Sequence, residues 1–270
     1  MKITLRKMFI PDAFYVAMSP TSFQSTVRTI GPWSAKAQHA GPPAALLCRA
    51  IELKAQELKT PFISRFTSSI FKPVPIAPLD VQVEIIRSGK KVSHLSASLS
   101  VNGCEIMRAF AVCSRIDDTL RLPPCPKELP PTPKRGEPYL FPIHTAPVGY
   151  HNSIALELVE GVHQKGPTTM WLKPLFPLVD GETSSSTQRA IIVGDCANGI
   201  GFHLDFATTF FMNSDLSVVF HRPLLGEWFA MASRVDVAPL GGVGSSFADM
   251  FDETGHVGRL SQTLLLEARL

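Results

Sequence analysis

Hydrophobic and polar positions follow two different periods along the chain, and each half of the sequence shows both of them. In the first half, Pro43–Leu58 carries apolar residues at roughly helical spacing, and the prolines at its start suit a first helical turn. Shorter runs with apolar residues at alternate positions follow and predict strands. These strands are Arg65–Phe71, Val81–Arg87, Ser93–Val101 and Glu105–Ser114. The Asn102-Gly103 pair between the last two predicts a tight hairpin.

The second half repeats this plan. A helix is predicted over Ala197–Phe206, and strands follow it to the end of the chain. The predicted strands are Leu216–His221, Trp228–Val237, Ser245–Asp252 and Arg259–Arg269. The turn at Gly255 corresponds to the turn at Gly103 in the first half, which indicates a duplicated unit.

The stretch Leu122–Pro138 is rich in proline. Proline has no backbone N–H to donate, so this stretch cannot be a central strand or a helix interior, and it predicts an extended linker. We predict an N-terminal domain at 1–117, a linker at 118–144 and a C-terminal domain at 145–270. Antiparallel strands after a single helix place both domains in the α+β class, with each sheet covering its helix.

Composition and charge exclude several classes of protein. Of 270 residues, 45% are hydrophobic and 18% charged, which argues against disorder. The net charge of +3 is too small to indicate nucleic acid but suits an anionic small ligand. No apolar stretch is long enough to span a bilayer, and Pro11 and Asp12 break the N-terminal apolar run, which argues against a secretory signal. Five cysteines without a Cys-x-x-Cys pair predict reduced thiols in an intracellular compartment and no zinc site.

Gln262 is the first candidate for chemistry. It shares one face of the last predicted strand with Leu260, Leu264 and Leu266, so the amide is expected to point inward. A buried amide needs partners, because an unpaired one costs about 1–3 kcal/mol. A core glutamine bonded to a neighbouring strand and a functional glutamine are equally compatible with this pattern.

Asp195, Asn213 and Cys196 are further candidates. Asp195 precedes a predicted helix and suits an N-cap, and it also suits a carboxylate that orients a water. Asn213 lies at a strand entry, where asparagine is an ordinary turn residue. Cys196 is either a nucleophile paired with a histidine such as His39 or His203, or a small buried hydrophobe.

Two signatures resemble a known family. Gly31-Pro32-Trp33 followed by Gln38–Leu47 resembles the N-terminal signature of thioesterase-like double hot-dog proteins. The run Asp215–Pro223, then Gly226-Glu227-Trp228, resembles their second-domain signature. The family includes bacterial acyl-CoA thioesterase II and its peroxisomal relatives. The resemblance implies two tandem hot-dog domains and hydrolysis of an acyl-CoA thioester, with no metal or redox cofactor.

The resemblance also implies a catalytic set. The family's aspartate maps onto Asp195 and its glutamine onto Gln262, whereas Asn213 stands where the family has threonine or serine. Together they would position the attacking water. Backbone N–H groups of Ala40, Gly41 or Ala44, with His39 in the substrate-binding set, would stabilise the oxyanion.

Three functions remain open on the sequence. The first is acyl-CoA hydrolysis, including that of a specialised acyl group in secondary metabolism. The second is dehydration or cyclisation of a thioester substrate, and the third is acyl-CoA binding without catalysis. No nucleic acid partner and no membrane span are expected, and the oligomeric state, a homo-oligomer included, stays open.

The last three residues bear on location. Ala268-Arg269-Leu270 is a small–basic–leucine tripeptide like the Ser-Lys-Leu address of peroxisomal import. The tripeptide predicts a peroxisomal location if the source is eukaryotic, and a cytoplasmic one otherwise. An arginine near the end of this strand is also usual in the family, so the tripeptide alone does not decide.

Overall fold

The computed structural model describes residues 11–123, 128–142 and 144–269, and this part of the chain forms one large antiparallel sheet with few helices. The helices are α1 (Gly41–Glu57), α2 (Ser186–Gly194) and α3 (Ala197–Gly201). The strands of the first half are β1 (Tyr15–Ala17), β2 (Ser22–Ser25), β3 (Phe62–Ile70), β4 (Pro78–Arg87), β5 (Val92–Val101) and β6 (Cys104–Ser114). Those after it are β7 (Glu137–Tyr139), β8 (Ile154–Glu160), β9 (Thr168–Pro174), β10 (Thr209–Asn213), β11 (Asp215–Phe220), β12 (Phe229–Val237), β13 (Val243–Asp252) and β14 (Gly255–Ala268).

In the first half, α1 lies against the sheet as its pattern predicts. Leu46, Leu47 and Ile51 are fully buried, and the helix contacts β3, β4, β5 and β6. The hairpin between β5 and β6 turns at Asn102 and Gly103, which both adopt positive φ. Such φ values at both central residues of a two-residue turn match the twist of the flanking strands, which explains the Asn-Gly pair.

In the second half, the predicted helix over Ala197–Phe206 is largely wrong. Only the short α3, Ala197–Gly201, forms there, and the longer α2 precedes it. Ser185 caps α2 by accepting the N–H of Gln188. Strands β8 and β9, which the sequence pattern did not predict, extend the sheet beyond β12.

The two halves are joined edge to edge by β3 and β11, which pair from Asp215↔Ser69 to Val219↔Arg65. Outward from this junction the order is β3-β6-β5-β4 on one side and β11-β14-β13-β12 on the other. In the first half, β3 at the junction is the first strand after the helix, whereas in the second half the short β10 precedes β11 and pairs with β14. In both halves the last strand lies next to the junction strand. The same order in both halves agrees with the internal repeat seen in the sequence.

The proline-rich stretch is packed onto the second half. Its residues 137–139 form β7 at the sheet edge, where Pro138 is tolerated. The Arg135 guanidinium lies 3.9 Å from the Trp228 ring centroid and pairs with Glu157. The Trp171 indole N–H donates to the Lys134 carbonyl at 2.9 Å. Cys125, one of the five predicted reduced thiols, lies outside the described residues.

The ends of the chain are described in part. The N-terminal run examined for a secretory signal lies mostly in residues 1–10, outside the described part, and Leu270 of the predicted address also lies outside it. Across the described ranges, no helix combines the length and apolar character that a membrane crossing requires.

Candidate active site

A cavity of about 550 Å³ opens where the two halves meet, and residues of both halves line it. Seven tryptophan and phenylalanine side chains belong to the lining, namely Trp33, Phe71, Phe141, Phe202, Phe206, Phe210 and Phe211. His39, Asp195, Cys196 and Asn213 add a polar group of side chains to the lining. An apolar cavity with a few convergent polar groups is the usual form of a small-molecule site.

Asp195 is placed between two helices. It is the C-cap residue of α2, and Cys196 is the N-cap of α3 without a side-chain cap bond, so the expected N-cap role of Asp195 is wrong. The Asp195 side chain is only 4% exposed. A buried carboxylate needs several donors, because an unpaired buried charge is costly.

Those donors come from three different segments. The Asn213 amide donates from Nδ2 to Asp195 Oδ1 at 2.6 Å, and Gln262 Nε2 approaches the same oxygen at 3.4 Å. His39 Nδ1 lies 3.0 Å from Asp195 Oδ2. The structure thus brings together Asp195, Asn213 and Gln262, the three residues that the resemblance singled out, and adds His39. Their catalytic role stays a prediction.

Gln262 is not the core glutamine bonded to a neighbouring strand that the pattern allowed. Its Oε1 accepts the N–H of Asn198 at 3.0 Å, and its Nε2 also donates to the Asp195 carbonyl at 3.2 Å. Its partners are therefore the α2–α3 connection and not the backbone of a neighbouring strand. Among the described residues that line the cavity, Asp195 and Asn213 are present and Gln262 is not. Gln262 thus contacts Asp195 without lining the cavity itself.

His39 is charged in this environment. Burial alone would lower the pKa of its imidazole, but the charge and hydrogen bond of Asp195, with a smaller contribution from Cys196, raise that pKa to about 10. The ring also stacks on Tyr150, with centroids 3.7 Å apart and planes 5° from parallel. His39 is therefore an imidazolium at neutral pH with a fixed orientation.

Cys196 lies next to this pair. Its Sγ is 3.1 Å from the Tyr150 hydroxyl and 4.0 Å from His39 Nε2. The Tyr150 hydroxyl donates to the Ile192 carbonyl at 2.7 Å, so its oxygen is free to accept from the thiol. Of the two histidines considered for Cys196, His39 is the neighbour, whereas His203 is exposed.

The expected oxyanion donors lie at the start of α1. Ala40 lines the cavity, and Gly41 N lies 3.3 Å from His39 Nδ1. A Cβ on Gly41 would lie 2.1 Å from the Ile192 carbonyl oxygen, so glycine is required for α1 to approach α2 this closely. Ala44 is excluded as an oxyanion donor, because its N–H donates to the Ala40 carbonyl inside the helix.

Five of the rings pack together into an aromatic wall of the cavity: Trp33, Phe202, Phe206, Phe210 and Phe211. Trp33 stacks on Phe206 at 4.7 Å and meets Phe210 at 4.3 Å between centroids. The Arg269 guanidinium lies 4.5 Å from the Phe206 ring centroid. Trp33 comes from the first half and its partners from the second, so the aromatic wall also spans the junction.

Sequence reasoning missed Tyr150 and His163 as site residues. Tyr150 supports the ring of His39, and His163 bonds Tyr139 at 3.0 Å and the Gly199 carbonyl at 3.0 Å. Both line the cavity. Neither belongs to a recognisable motif, and both follow the proline-rich stretch, so nothing in the local sequence marks them.

Comparison with known proteins agrees on one family. A model described as the acyl-CoA thioesterase N-terminal domain matches residues 29–114, and the corresponding C-terminal domain model matches residues 126–266. A search of the curated proteins found no match.

Solved structures similar to this chain share its fold. A conserved hot-dog protein of unknown function from Alicyclobacillus acidocaldarius aligns with a TM-score of 0.72 at 14% identity, over 96% of this chain and 98% of the other. An acyl-CoA thioesterase II from Mycobacterium marinum aligns with a TM-score of 0.65 at 13% identity, over 96% of each chain. A TesB protein from Mycobacterium avium subspecies paratuberculosis aligns with a TM-score of 0.61 at 14% identity, over 94% and 96%. At these identities the alignments show the hot-dog fold alone.

Proposed function

The chain belongs to the acyl-CoA thioesterase family and is a thioester hydrolase, and we propose that it cleaves an acyl-CoA to the free acid and CoA with a water activated at Asp195. The observation that carries the proposal is the buried Asp195 carboxylate, which lines an apolar cavity and is oriented by donors on both oxygens. An oriented carboxylate can accept the proton of an attacking water.

The contacts of the carboxylate are compatible with such a water. A carboxylate offers about four lone-pair sites. Asn213 and Gln262 approach Oδ1, and His39 approaches Oδ2, so one site on Oδ2 stays available beside the cavity. Asn213 supplies a donor where related enzymes carry a hydroxyl, and its amide can hold the carboxylate in the same way.

The remaining groups suit a thioester carbonyl. The Ala40 backbone at the start of α1 and the imidazolium of His39 border the cavity and can stabilise an oxyanion. The aromatic wall provides an apolar surface for the acyl group. The CoA portion would extend from the cavity toward solvent.

We also propose that each half is one hot-dog domain, with the two domains arranged in tandem around the linker 118–144. The repeated strand order on either side of the β3–β11 junction supports this arrangement, as do the separate matches of the N- and C-terminal domain models. Domains at 1–117 and 145–270 would then contribute opposite walls of one site.

Free CoA released from a panel of acetyl-, hexanoyl-, palmitoyl- and benzoyl-CoA tests the function. We expect release from at least one of these, and a loss of about 100-fold or more in Asp195→Asn, because a positioned general base contributes about 10²–10⁴-fold. Asp180→Asn, at an exposed aspartate, is the matched control and should keep the wild-type rate. Near wild-type release by Asp195→Asn would contradict the assignment.

Mass analysis of the same reactions separates the other functions. An acyl-CoA product lighter by one water would indicate a dehydratase. Tight binding of every acyl-CoA without release of CoA would indicate a binding protein.

For a eukaryotic source we propose peroxisomal import through Ala268-Arg269-Leu270. An N-terminal fluorescent fusion leaves the tripeptide free and should co-localise with a peroxisomal marker. Deletion of Leu270 should make the fusion diffuse. A fusion that is diffuse with Leu270 present would contradict the proposal.

A further inference from the structure

Cys196 belongs to the same buried core cluster as Cys48 and Cys113, but of these three cysteines it alone lines the cavity. Cys48 and Cys113 lie in the core of the first half, where burial raises the pKa of Cys48 well above its usual value and, with Glu52, that of Cys113 to about 12. Neither lines the cavity. Cys196 does line it, and its Sγ lies 4.0 Å from His39 Nε2.

Cys196, His39 and Asp195 form a connected series. Asp195 Oδ2 is 3.0 Å from His39 Nδ1, and the opposite ring nitrogen faces the sulfur. A thiol beside an imidazolium that a carboxylate orients is an arrangement of covalent catalysis by cysteine, and its distances are often longer without substrate. The stack on Tyr150 fixes the ring that connects the two ends of the series.

We propose that Cys196 takes the acyl group from CoA as a thioester before water releases it. This inference rests on the proposed thioester hydrolysis and adds a covalent intermediate to it.

The exchange balances without any further reactant. Cys196 Sγ attacks the thioester carbonyl carbon, the new Sγ–C bond forms, and the bond from that carbon to the CoA sulfur breaks. Because His39 is already an imidazolium, Cys196 attacks as its thiolate, whose proton has passed to solvent water. His39 Nε2 gives its proton to the departing CoA sulfur and takes one back from solvent water. The products are acyl-Cys196 and free CoA, and one thioester has been exchanged for another.

The two carboxylate oxygens of Asp195 then contact different residues and have different roles. Oδ2 holds His39 for the exchange, and Oδ1, held by Asn213 and Gln262, fixes the carboxylate that accepts a proton from the water. Water attack on acyl-Cys196 releases the acid and restores the thiol. Because acyl-CoA and acyl-Cys196 are both thioesters, the same carboxylate serves the second step.

Isotope exchange detects such an intermediate. Labelled free CoA is added during hydrolysis of hexanoyl-CoA and benzoyl-CoA, and the label is followed into the remaining acyl-CoA. An acyl-enzyme returns its acyl group to labelled CoA, whereas direct attack by water on acyl-CoA incorporates no label. In parallel, the mass of the intact protein is measured after acid quenching.

Variants locate the acyl group. Cys196→Ala should lose both the exchange and the added acyl mass, and Cys196→Ser, which keeps a similar side-chain size, should also lose the exchange. Cys104→Ser, at an exposed cysteine, is the control for non-specific acylation and should keep both signals. Asn213→Ala, which weakens the water step, should increase the acylated fraction.

The outcomes separate this inference from the proposed function. Hydrolysis without label incorporation in the wild-type protein would overturn the role of Cys196 and leave the hydrolase intact. Acyl mass that persists in Cys196→Ala would also overturn it. Absence of both hydrolysis and exchange with every acyl-CoA tested would overturn the proposed function as well.

Discussion

His39 and Asp195 stabilise each other's charged forms, and this has consequences for the whole site. The imidazolium balances the carboxylate, so the polar end of the cavity holds two charges that nearly cancel. Such an end accommodates a neutral thioester carbonyl better than an unpaired buried charge would. The same pair makes protein stability depend on pH.

We predict that His39 contributes to stability below pH 6.5 and that the contribution disappears toward pH 10. The pKa of His39 is raised from 6.5 to about 10 in the folded protein, so the folded state holds its proton more tightly than the unfolded state does. The stabilisation is fully present below the unfolded pKa and is lost as the pH rises through the folded one. Urea unfolding of the wild-type protein and His39→Gln should show a difference that shrinks over this range.

His151 provides the control for this titration. Burial and the neighbouring His144 lower the pKa of His151, so the effect of His151→Gln should change with pH below 6.5 and stay constant above it. A free-energy difference for His39→Gln that does not vary between pH 6.5 and 10 would contradict the assigned charge.

Asn213 should control the rate of hydrolysis. Asn213→Ala removes the donor 2.6 Å from Asp195 Oδ1, and a hydrogen bond to a charged group is worth about 1.5–3 kcal/mol, so we expect about a 10- to 100-fold lower kcat. Asn213→Thr keeps a donor and should retain more activity than Asn213→Ala. Equal CoA release by the alanine and threonine variants would show that the donor is not needed.

Site residues could be predicted from the sequence only where a pattern or a family resemblance marked them. The alternation of the last strand indicated that Gln262 points inward, and the resemblance linked it to Asp195 and Asn213, which the structure brings together. The contact between Cys196 and Tyr150 could not be predicted, because 46 positions separate them and their proximity depends on the folded path of the chain.

At the scale of elements, α1 and α2 cross at a buried carboxylate. Glu52 of α1 accepts from the Ser185 hydroxyl at 2.8 Å and from Gln188 Nε2 at 2.6 Å. Burial raises the pKa of Glu52, and these hydrogen bonds partly offset that effect. Ser185 also caps α2, so one hydroxyl connects the helices of both halves.

Ser185→Ala should therefore destabilise the protein beyond the loss of a helix cap. The change removes the cap, worth about 1 kcal/mol, and one donor to a buried carboxylate, so we expect a loss of about 2–3 kcal/mol in the free energy of unfolding. Urea unfolding measures this, and Thr183→Ala at an exposed neighbouring position should stay within about 0.5 kcal/mol of the wild-type value. A similarly small effect of Ser185→Ala would contradict the role of this contact.

The element boundaries show where sequence patterns are informative. The predicted strands β3 to β6 and β11 to β14 were found close to their observed positions, because one buried face imposes alternation. Helix α2 was missed, since its Ile191, Ile192 and Val193 form a β-branched run that favours a strand. All three are fully buried, and burial of the helix against the sheet outweighs that preference.

At the scale of the whole molecule, the site exists only where the halves meet. His39 and Trp33 come from the first half, whereas Asp195, Cys196 and Asn213 come from the second. The prolines and the repeat predict a domain division, whereas no pattern in the sequence predicts the cavity. Its walls depend on the pairing of β3 with β11, and no single stretch of sequence encodes that contact.

Breaking the strand pairing at the junction should therefore disable the site without unfolding either core. Ser68 of β3 pairs with Leu216 of β11. The Ile70 N–H donates to the Ser214 carbonyl at the same junction, and backbone donors on one side of a strand recur at every second residue, so the Ser68 N–H also faces β11. Ser68→Pro removes this donor from a central strand. Ser68→Ala keeps the donor and removes a buried hydroxyl that has no hydrogen-bond partner among the described residues.

We expect Ser68→Pro to lose about 1–3 kcal/mol of unfolding free energy. At temperatures where circular dichroism shows this variant folded, it should also lose most CoA release, because the histidine and the carboxylate would no longer be held together. Ser68→Ala should resemble the wild-type protein in both assays. Wild-type CoA release by folded Ser68→Pro would mean that the β3–β11 pairing does not position the catalytic groups.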